Sequence, residues 1–148
     1  MGPLTLPTNG LIYIDACAVI YSVERVEPYS TLLAPLWKSA RRQTAEILTS
    51  ELSLLEVLVR PLHTGNTALE ALFRDLLLAS QEVSLIPVSR AVIERAAAVR
   101  ATTGLRTPDA IHVASARQSR CRSFVTNDPV FSRVAGLPTV ILHDLLSP

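Results

Sequence analysis

Residues 11–21 read LIYIDACAVIY, an apolar run that is interrupted by a single aspartate. The segment from Leu11 to Asp15 is short and rich in residues that favour β-structure, so it predicts a strand. The segment from Ala16 to about Val23 predicts a helix directly after it. A buried strand that leads into a helix is the repeating unit of parallel α/β proteins, in which helices cover both faces of the sheet.

The same alternation of strands and helices continues along the rest of the chain. Further strands are predicted at Glu46–Ser50, Val83–Val88, Ser123–Thr126 and Thr139–Leu142. Further helices are predicted from about Pro28 to Arg41, Glu51 to about Arg60, about Thr67 to Ala79, Ser89 to Gly104 and Thr107 to about Arg117. Ser50, Ser89 and Thr107 are the predicted N-caps, and Pro61 is a predicted helix end. Strands separated by helices form right-handed parallel crossovers, so we expect a three-layer α/β/α sandwich with a central parallel sheet of about five strands.

The length of 148 residues and the apolar fraction of 49% suit one globular domain spanning residues 1–148, with residues 1–10 as a flexible tail. Cys17 and Cys121 have neither zinc-ligand spacing nor a C-x-x-C pattern, so we expect buried thiols. No apolar run is long enough to cross a membrane, and the first residues lack the basic and apolar regions of a secretory signal. We therefore expect a cytoplasmic protein without a membrane partner.

The basic residues are thirteen arginines and one lysine, and the net charge is +1. Arginine suits phosphate binding, but the chain is also rich in alanine, and both biases are typical of a GC-rich genome. A net charge near zero argues against a broad basic surface. We therefore interpret the two arginine clusters, Arg117 with Arg120 and Arg122, and Arg41 with Arg42, as solvated helix ends.

Three aspartates stand at positions where strands end or helices begin. Asp15 ends the first predicted strand and Asp128 follows the fourth, so both lie at the sheet edge where ligands of α/β proteins bind. Asp109 lies in the first turn of a predicted helix. Taken alone, Asp15 and Asp128 are interpreted as caps of the helices that follow them, and Asp109 as a charge that complements the helix dipole. His112, three residues after Asp109, is interpreted as a structural histidine.

Glu56 is harder to explain as a structural residue. It stands in the middle of the apolar sequence LSLLEVLV, which predicts a largely buried helix. A buried carboxylate without a partner is very costly. Arg60, one helical turn later, is one possible partner, and a metal ion is the other.

The four carboxylates of Asp15, Glu56, Asp109 and Asp128 would repel one another at one sheet edge unless a cation lay among them. An oxygen-only set of ligands selects a hard ion, Mg²⁺ or Mn²⁺. Such sites typically hydrolyse phosphoesters, because the ion activates water and neutralises charge on the phosphate.

Four segments, YIDACAVIY, SELSLLEVLVRP, LRTPDAIHVASA and FVTNDPVF, occur in an order that resembles the PIN-domain ribonuclease family. The chain is more specifically similar to the VapC-type toxins of bacterial toxin–antitoxin pairs, from Leu11 to Leu142. The resemblance implies that Asp15, Glu56 and Asp109 form an acidic triad that holds the metal. It implies that Asp128 is the fourth acid and that Thr126 supports the site.

The resemblance also implies an endoribonuclease that cleaves RNA with water, forms a homodimer and is inhibited by an antitoxin protein. Many relatives carry a further acid just after the fourth one, whereas Pro129 and Val130 stand there in this chain. The choice between one and two metal ions is therefore open.

Other interpretations of the sequence carry less support. A phosphatase of the haloacid-dehalogenase type needs a second aspartate where Cys17 stands, and a phosphorylation receiver needs a late lysine, whereas Lys38 is the only lysine. A nucleotide-binding domain needs a glycine-rich turn after the first strand. Two further alternatives share the family's fold: a housekeeping nuclease without an antitoxin, and a non-catalytic module that binds RNA or protein.

Overall fold

The computed structural model describes residues 5–146 and contains one five-stranded sheet. The strands are β1 (Gly10–Ile14), β2 (Ala45–Ser50), β3 (Val83–Ile86), β4 (Ser123–Thr126) and β5 (Thr139–Ile141). They are parallel and lie in the order β3-β2-β1-β4-β5. The predicted parallel α/β/α sandwich is confirmed.

The helices are α1 (Ala16–Val23), α2 (Tyr29–Arg41), α3 (Glu51–Thr64), α4 (Thr67–Arg74), α5 (Arg90–Thr103) and α6 (Thr107–Ser119). A π-helical turn (Asp75–Ala79) and two 3₁₀ turns (Pro129–Arg133 and Leu142–Leu145) complete the elements. Within residues 5–146, no helix combines the length and the apolar character that a membrane crossing requires.

Side chains of the central strand alternate between two hydrophobic cores, one on each face of the sheet. Ile12 and Ile14 point into a core that α1 to α4 cover, whereas Tyr13 points into a core that α5 and α6 cover. This alternation with a period of two residues is what a strand buried on both faces requires. The two cores explain why nearly every residue of β1 is apolar.

Several predicted boundaries are wrong for identifiable reasons. Helix α3 continues past Pro61, which is buried, and ends at the left-handed Gly65, whose N–H donates to the carbonyl of Pro61. Strand β3 ends at Ile86, because Pro87 has no N–H to donate to the sheet. Arg106, not Thr107, is the N-cap of α6. The helix predicted up to Ala79 changes to a π-helical turn after Arg74.

The predicted flexible tail begins with residues 1–4, which lie outside the described residues. Leu6 packs against the core on the α1–α4 side, and Gly10 already belongs to β1. The mobility of this segment stays a prediction.

The position of β1 determines where a ligand site can form. The chain passes from β1 to β2 on one side, whereas β4 lies on the other side of β1. This change of direction opens a crevice at the carboxyl ends of β1 and β4, the usual place of ligand sites in open α/β sheets.

Candidate active site

Asp15 follows β1 directly and is held by three donors. Its Oδ1 accepts hydrogen bonds from the backbone N of Ala18 at 3.4 Å and from Sγ of Cys17 at 2.9 Å. Its Oδ2 accepts a hydrogen bond from Oγ1 of Thr126, the last residue of β4. Asp15 is therefore both the predicted N-cap of α1 and a carboxylate tied to the neighbouring strand.

The carboxyl group of Asp15 is almost fully buried, and burial raises its pKa above the ordinary value. The nearby His112 and the hydrogen bonds from Cys17 and Thr126 oppose part of this increase. Among the described residues, no lysine or arginine lies within ion-pair distance of Asp15. The site therefore contains a buried carboxylate whose charge the surrounding protein compensates only in part.

Thr126 connects two of the four acids. Its Oγ1 donates to Asp15 and also accepts a hydrogen bond from the backbone N of Asp128 at 3.1 Å. Asp128 in turn uses Oδ1 to cap the following 3₁₀ turn through the backbone N of Val130, at 2.9 Å. Because Thr126 is fully buried, this geometry is fixed by the end of β4.

Glu56 lies on α3, and its surroundings differ from the prediction. The helix is not largely buried: Leu55 and Val59 are 60% and 59% exposed. The side chain of Glu56 is itself 31% exposed, and its partner is not Arg60, which instead lies 3.9 Å from Glu24. The prediction of a largely buried helix is wrong, because the outer face of α3 carries apolar residues without burying them. Of the two possible partners of Glu56, Arg60 is paired with Glu24 instead.

His112 is the partner of Glu56. Its Nε2 lies 2.6 Å from Oε1 of Glu56, and its Nδ1 lies 2.7 Å from the hydroxyl of Tyr13. His112 is almost fully buried, so the interpretation as a satisfied histidine agrees with the structure. The sequence did not indicate that one of its partners is a candidate site residue.

Asp109 lies in the first turn of α6, as predicted. Its Oδ2 is 3.5 Å from Nε of Arg106, whose side chain is 81% exposed. An ion pair with such an exposed arginine contributes little to stability, about 0–1 kcal/mol. Arg106 is therefore free to contact other groups without a large cost to the fold.

These side chains line one cavity of about 360 Å³. Asp15, Glu56, Asp109 and Asp128 all contribute to its walls, whereas Thr126 lies behind them. Arg106 is the one arginine in the lining, and none of the predicted arginine clusters reaches it. Larger cavities of about 450 and 600 Å³ lie elsewhere, but carboxylates from four different segments meet only in this one among the described cavities.

The donor set of the cavity fits a hard divalent cation, although the side chains do not surround a common point as they stand. In residues 5–146, no three His, Cys, Asp or Glu side chains are arranged so that they could hold an ion. However, Glu56, Asp109 and Asp128 each use only one oxygen in a hydrogen bond within the described part of the chain. Three carboxylates that each keep an oxygen free of hydrogen bonds, together with the buried carboxylate of Asp15, are a donor set typical of Mg²⁺ or Mn²⁺ ligands.

Sequence reasoning overlooked several residues of this cavity, among them Arg106, Tyr21 and Asn127. Asp109 and His112 are three residues apart and so are neighbours on α6, and Arg106 is the N-cap three residues before Asp109, which was a usable signal. Tyr21 and Asn127 gave no such signal, because their contact joins residues that are 106 positions apart.

Cys17, expected to be buried, is only partly buried, and burial beside Asp15 raises the pKa of its thiol well above the usual range.

A family model described as PIN domain matches residues 12–137 of the chain. This match includes every candidate site residue. A comparison with curated proteins finds no match.

Three solved structures with a similar fold are also informative. VapBC2 from Rickettsia felis, bound to a DNA fragment from its promoter, is 16% identical with a TM-score of 0.69, over 88% of this chain and 98% of that chain. A toxin–antitoxin complex from Klebsiella pneumoniae is 22% identical with a TM-score of 0.66, over 88% and 97%. VapC20 from Mycobacterium tuberculosis, a Sarcin-Ricin loop cleaving toxin, is 18% identical with a TM-score of 0.70, over 85% and 95%. At these identities the likeness establishes the fold.

Proposed function

Because the chain belongs to the PIN domain family, we propose that it is a Mg²⁺- or Mn²⁺-dependent endoribonuclease, the toxin of a cytoplasmic toxin–antitoxin pair. One observation carries the proposal: Asp15, Glu56, Asp109 and Asp128 line a single cavity at the carboxyl ends of β1 and β4. The similar fold of VapC20, a Sarcin-Ricin loop cleaving toxin, supports RNA as the substrate class.

The four acids would hold the divalent ion. When bound, such an ion lowers the pKa of water and neutralises charge on the phosphate. Thr126 keeps the carboxylate of Asp15 in one orientation through its hydrogen bond to Oδ2. The near-complete burial of Asp15 removes bulk water from its carboxylate and so strengthens the interaction of that carboxylate with a cation.

Arg106 would bind a phosphate of the RNA next to the bond that is cleaved. It is the arginine in the cavity lining, its side chain is largely exposed, and its present partner Asp109 holds it only weakly. A guanidinium group binds phosphate oxygens with two parallel hydrogen bonds. Without the positive charge of Arg106, the four carboxylates at the cavity would repel the RNA backbone.

The decisive experiment compares the parent protein with the Asp15→Asn variant on a pool of structured and single-stranded RNA, with Mg²⁺, with Mn²⁺ and with EDTA. We expect discrete fragments that require metal, and a loss of about 100-fold or more in the variant, because a ligand charge is removed while the core volume is retained. The variant Asp75→Asn is the matched control, since it removes the same charge at an exposed position outside the cavity. Equal cleavage by folded Asp15→Asn would show that the site is assigned wrongly.

We further propose that the protein forms a homodimer and that it binds an antitoxin protein. The complexes of VapBC2 and of the Klebsiella pair support an antitoxin by their similar fold. Light scattering should give twice the chain mass of 16.1 kDa for the protein alone. Expression of the parent without a partner should arrest bacterial growth, and expression of Asp15→Asn should not; normal growth with active parent protein would favour a housekeeping nuclease.

A further inference from the structure

Three residues from three elements form a continuous hydrogen-bonded chain into the cavity. Tyr13 of β1 contacts Nδ1 of His112 on α6 at 2.7 Å, and Nε2 of His112 contacts Oε1 of Glu56 on α3 at 2.6 Å. We infer that His112, anchored by Tyr13, is a positioning residue that orients the carboxylate of Glu56 for binding a divalent cation. This inference rests on the proposed function in that Glu56 is taken as a ligand.

Glu56 needs such support because its own helix does not provide it. The side chain is partly exposed, and the neighbouring Leu55 and Val59 face solvent rather than enclosing it. A glutamate side chain loses up to about 2 kcal/mol of conformational entropy when it is fixed. His112 is the hydrogen-bond partner that the described residues offer to this carboxylate.

The chemistry of the carboxylate fixes the direction of the hydrogen bond between His112 and Glu56. An ionised carboxylate only accepts hydrogen bonds, so Nε2 of His112 must donate to Glu56. In the neutral imidazole Nδ1 then accepts, and the hydroxyl of Tyr13 donates to it. Oε1 of Glu56 is thereby committed to the protein, whereas Oε2 has no partner among residues 5–146.

The anchor at the other end of the chain is rigid. Tyr13 is fully buried and its ring stacks on Phe124 of β4 at 5.1 Å, with 8° between the ring planes. Tyr13 also stands two residues before Asp15 on the same strand. The central strand therefore sets the position of Asp15 directly and that of Glu56 through His112.

The test measures the affinity of the full chain for Mn²⁺ by calorimetry, without RNA. We expect His112→Leu to weaken Mn²⁺ binding by about 10–100-fold, the usual effect of removing a residue that supports a ligand. His112→Gln, which keeps a donor for Glu56, should recover most of this loss. Tyr13→Phe, which keeps the stacked ring and removes only the hydroxyl, should weaken binding about 10-fold.

A matched control separates positioning from stability. Ser22→Ala breaks the hydrogen bond from the indole nitrogen of Trp37, which is 2.7 Å long and joins two residues outside the cavity lining. It should lower the melting temperature as Tyr13→Phe does, yet leave Mn²⁺ affinity unchanged. If Tyr13→Phe and His112→Leu, both folded, bound Mn²⁺ as the parent does while losing stability like Ser22→Ala, the positioning role would be overturned.

A second readout needs no metal. Imidazole nitrogen NMR should show the Nε2-protonated tautomer for His112 in the parent protein, and Glu56→Gln should perturb that signal; a signal for the Nδ1-protonated tautomer would overturn the inference. A parent that binds Mn²⁺ but cleaves no RNA would refute the proposed nuclease while the affinities still decide the role of His112. Cleavage with unaltered Mn²⁺ affinity in the variants would refute only the role of His112.

Discussion

Asp15 and Glu56 lie in the same cavity, but the protein supports their carboxylates in opposite ways. Asp15 is almost fully buried at the end of β1, with donors from its own helix and from the neighbouring strand. Glu56 is partly exposed in the middle of α3 and depends on one histidine from another helix. The comparison shows that the backbone at the end of the sheet sets the position of Asp15. The position of Glu56 is set by the hydrogen bonds that lead from it through His112 to Tyr13 in the sheet.

This difference has an energetic consequence. A strand end and a helix N-terminus supply donors to Asp15, but burial still raises its pKa and so costs stability while it is charged. Glu56 is instead partly exposed, and it needs His112 to hold its orientation. Changes near Asp15 should therefore affect both metal binding and folding, whereas changes near Glu56 should affect mainly orientation.

Among the following substitutions, Thr126→Val is expected to have the largest effect on metal binding. The substitution keeps the buried volume but leaves Oδ2 of Asp15 and the N–H of Asp128 without their partner. We expect a loss of about 10–100-fold in Mn²⁺ affinity and of about 1–3 kcal/mol in the free energy of unfolding. Thr139→Val on β5 is the matched control, because its hydroxyl contacts only the carbonyl of Leu137. Similar metal affinities in both variants would contradict a support role for Thr126.

The next prediction concerns the stability of the metal-free protein. Burial raises the pKa of Asp15 in the folded state, so the native protein binds more protons than the unfolded chain between the two pKa values. Stability is therefore lost as the pH rises through this window, and the whole loss is present above the folded-state pKa. Asp15→Asn removes the charge and should raise the melting temperature in EDTA, by about 2–4 °C for each kcal/mol recovered.

Thermal unfolding at neutral pH and near pH 4 checks this prediction. The gain of Asp15→Asn over the parent should be largest at neutral pH and should shrink as the pH falls and the parent carboxyl takes up its proton. Asp75→Asn, at an exposed position, should show no such pH-dependent gain. A variant less stable than the parent at neutral pH would mean that the three hydrogen bonds outweigh the cost of burial.

A smaller effect, on RNA binding, is expected from a substitution of Arg106 at the rim of the cavity. Arg106→Gln should weaken RNA binding about uniformly across sequences and reduce the slope of binding against salt concentration by about one phosphate contact. The affinity for Mn²⁺ should not fall, since Arg106 is paired only weakly with Asp109. Arg95→Gln, on the exposed face of α5 and away from this cavity, is the control. An unchanged salt slope would exclude the phosphate contact.

The smallest effect is expected on the outer face of α3. Leu55→Ser replaces a side chain that is largely exposed, so the free energy of unfolding should change by no more than about 0.5 kcal/mol. Leu58→Ala, on the buried face of the same helix, should cost about 2–5 kcal/mol. A large loss in Leu55→Ser at high protein concentration, which disappears on dilution, would show that a second copy covers this face.

Most of the fold could be predicted because its signals are local. The apolar strand before Asp15, the caps Ser50 and Ser89, and the left-handed Gly104 each act within a few residues. The end of α3 could not be predicted in this way. Proline usually ends a helix, but Pro61 is buried in its packed position, and the contacts made there offset the lost hydrogen bond.

The candidate site was predictable as a set of acids but not as an arrangement. Strand-end positions indicated Asp15 and Asp128, a helix start indicated Asp109 and an apolar helix indicated Glu56. The resemblance to a family added Thr126 and the roles of the acids. The partner of Glu56 was missed because His112 lies 56 residues away along the chain. No helical or strand periodicity connects residues at such a separation.

The sequence by itself determined the alternation of strands and helices, the two-faced burial of β1 and the carboxylates at strand ends, because these depend on side-chain periodicity and local capping. Only the tertiary structure decided that α3 exposes an apolar face and that His112 joins Tyr13 to Glu56. It also decided that Arg106 stands at the cavity rim. Such contacts depend on how α3 and α6 pack across the sheet, and packing joins residues that are distant in the chain.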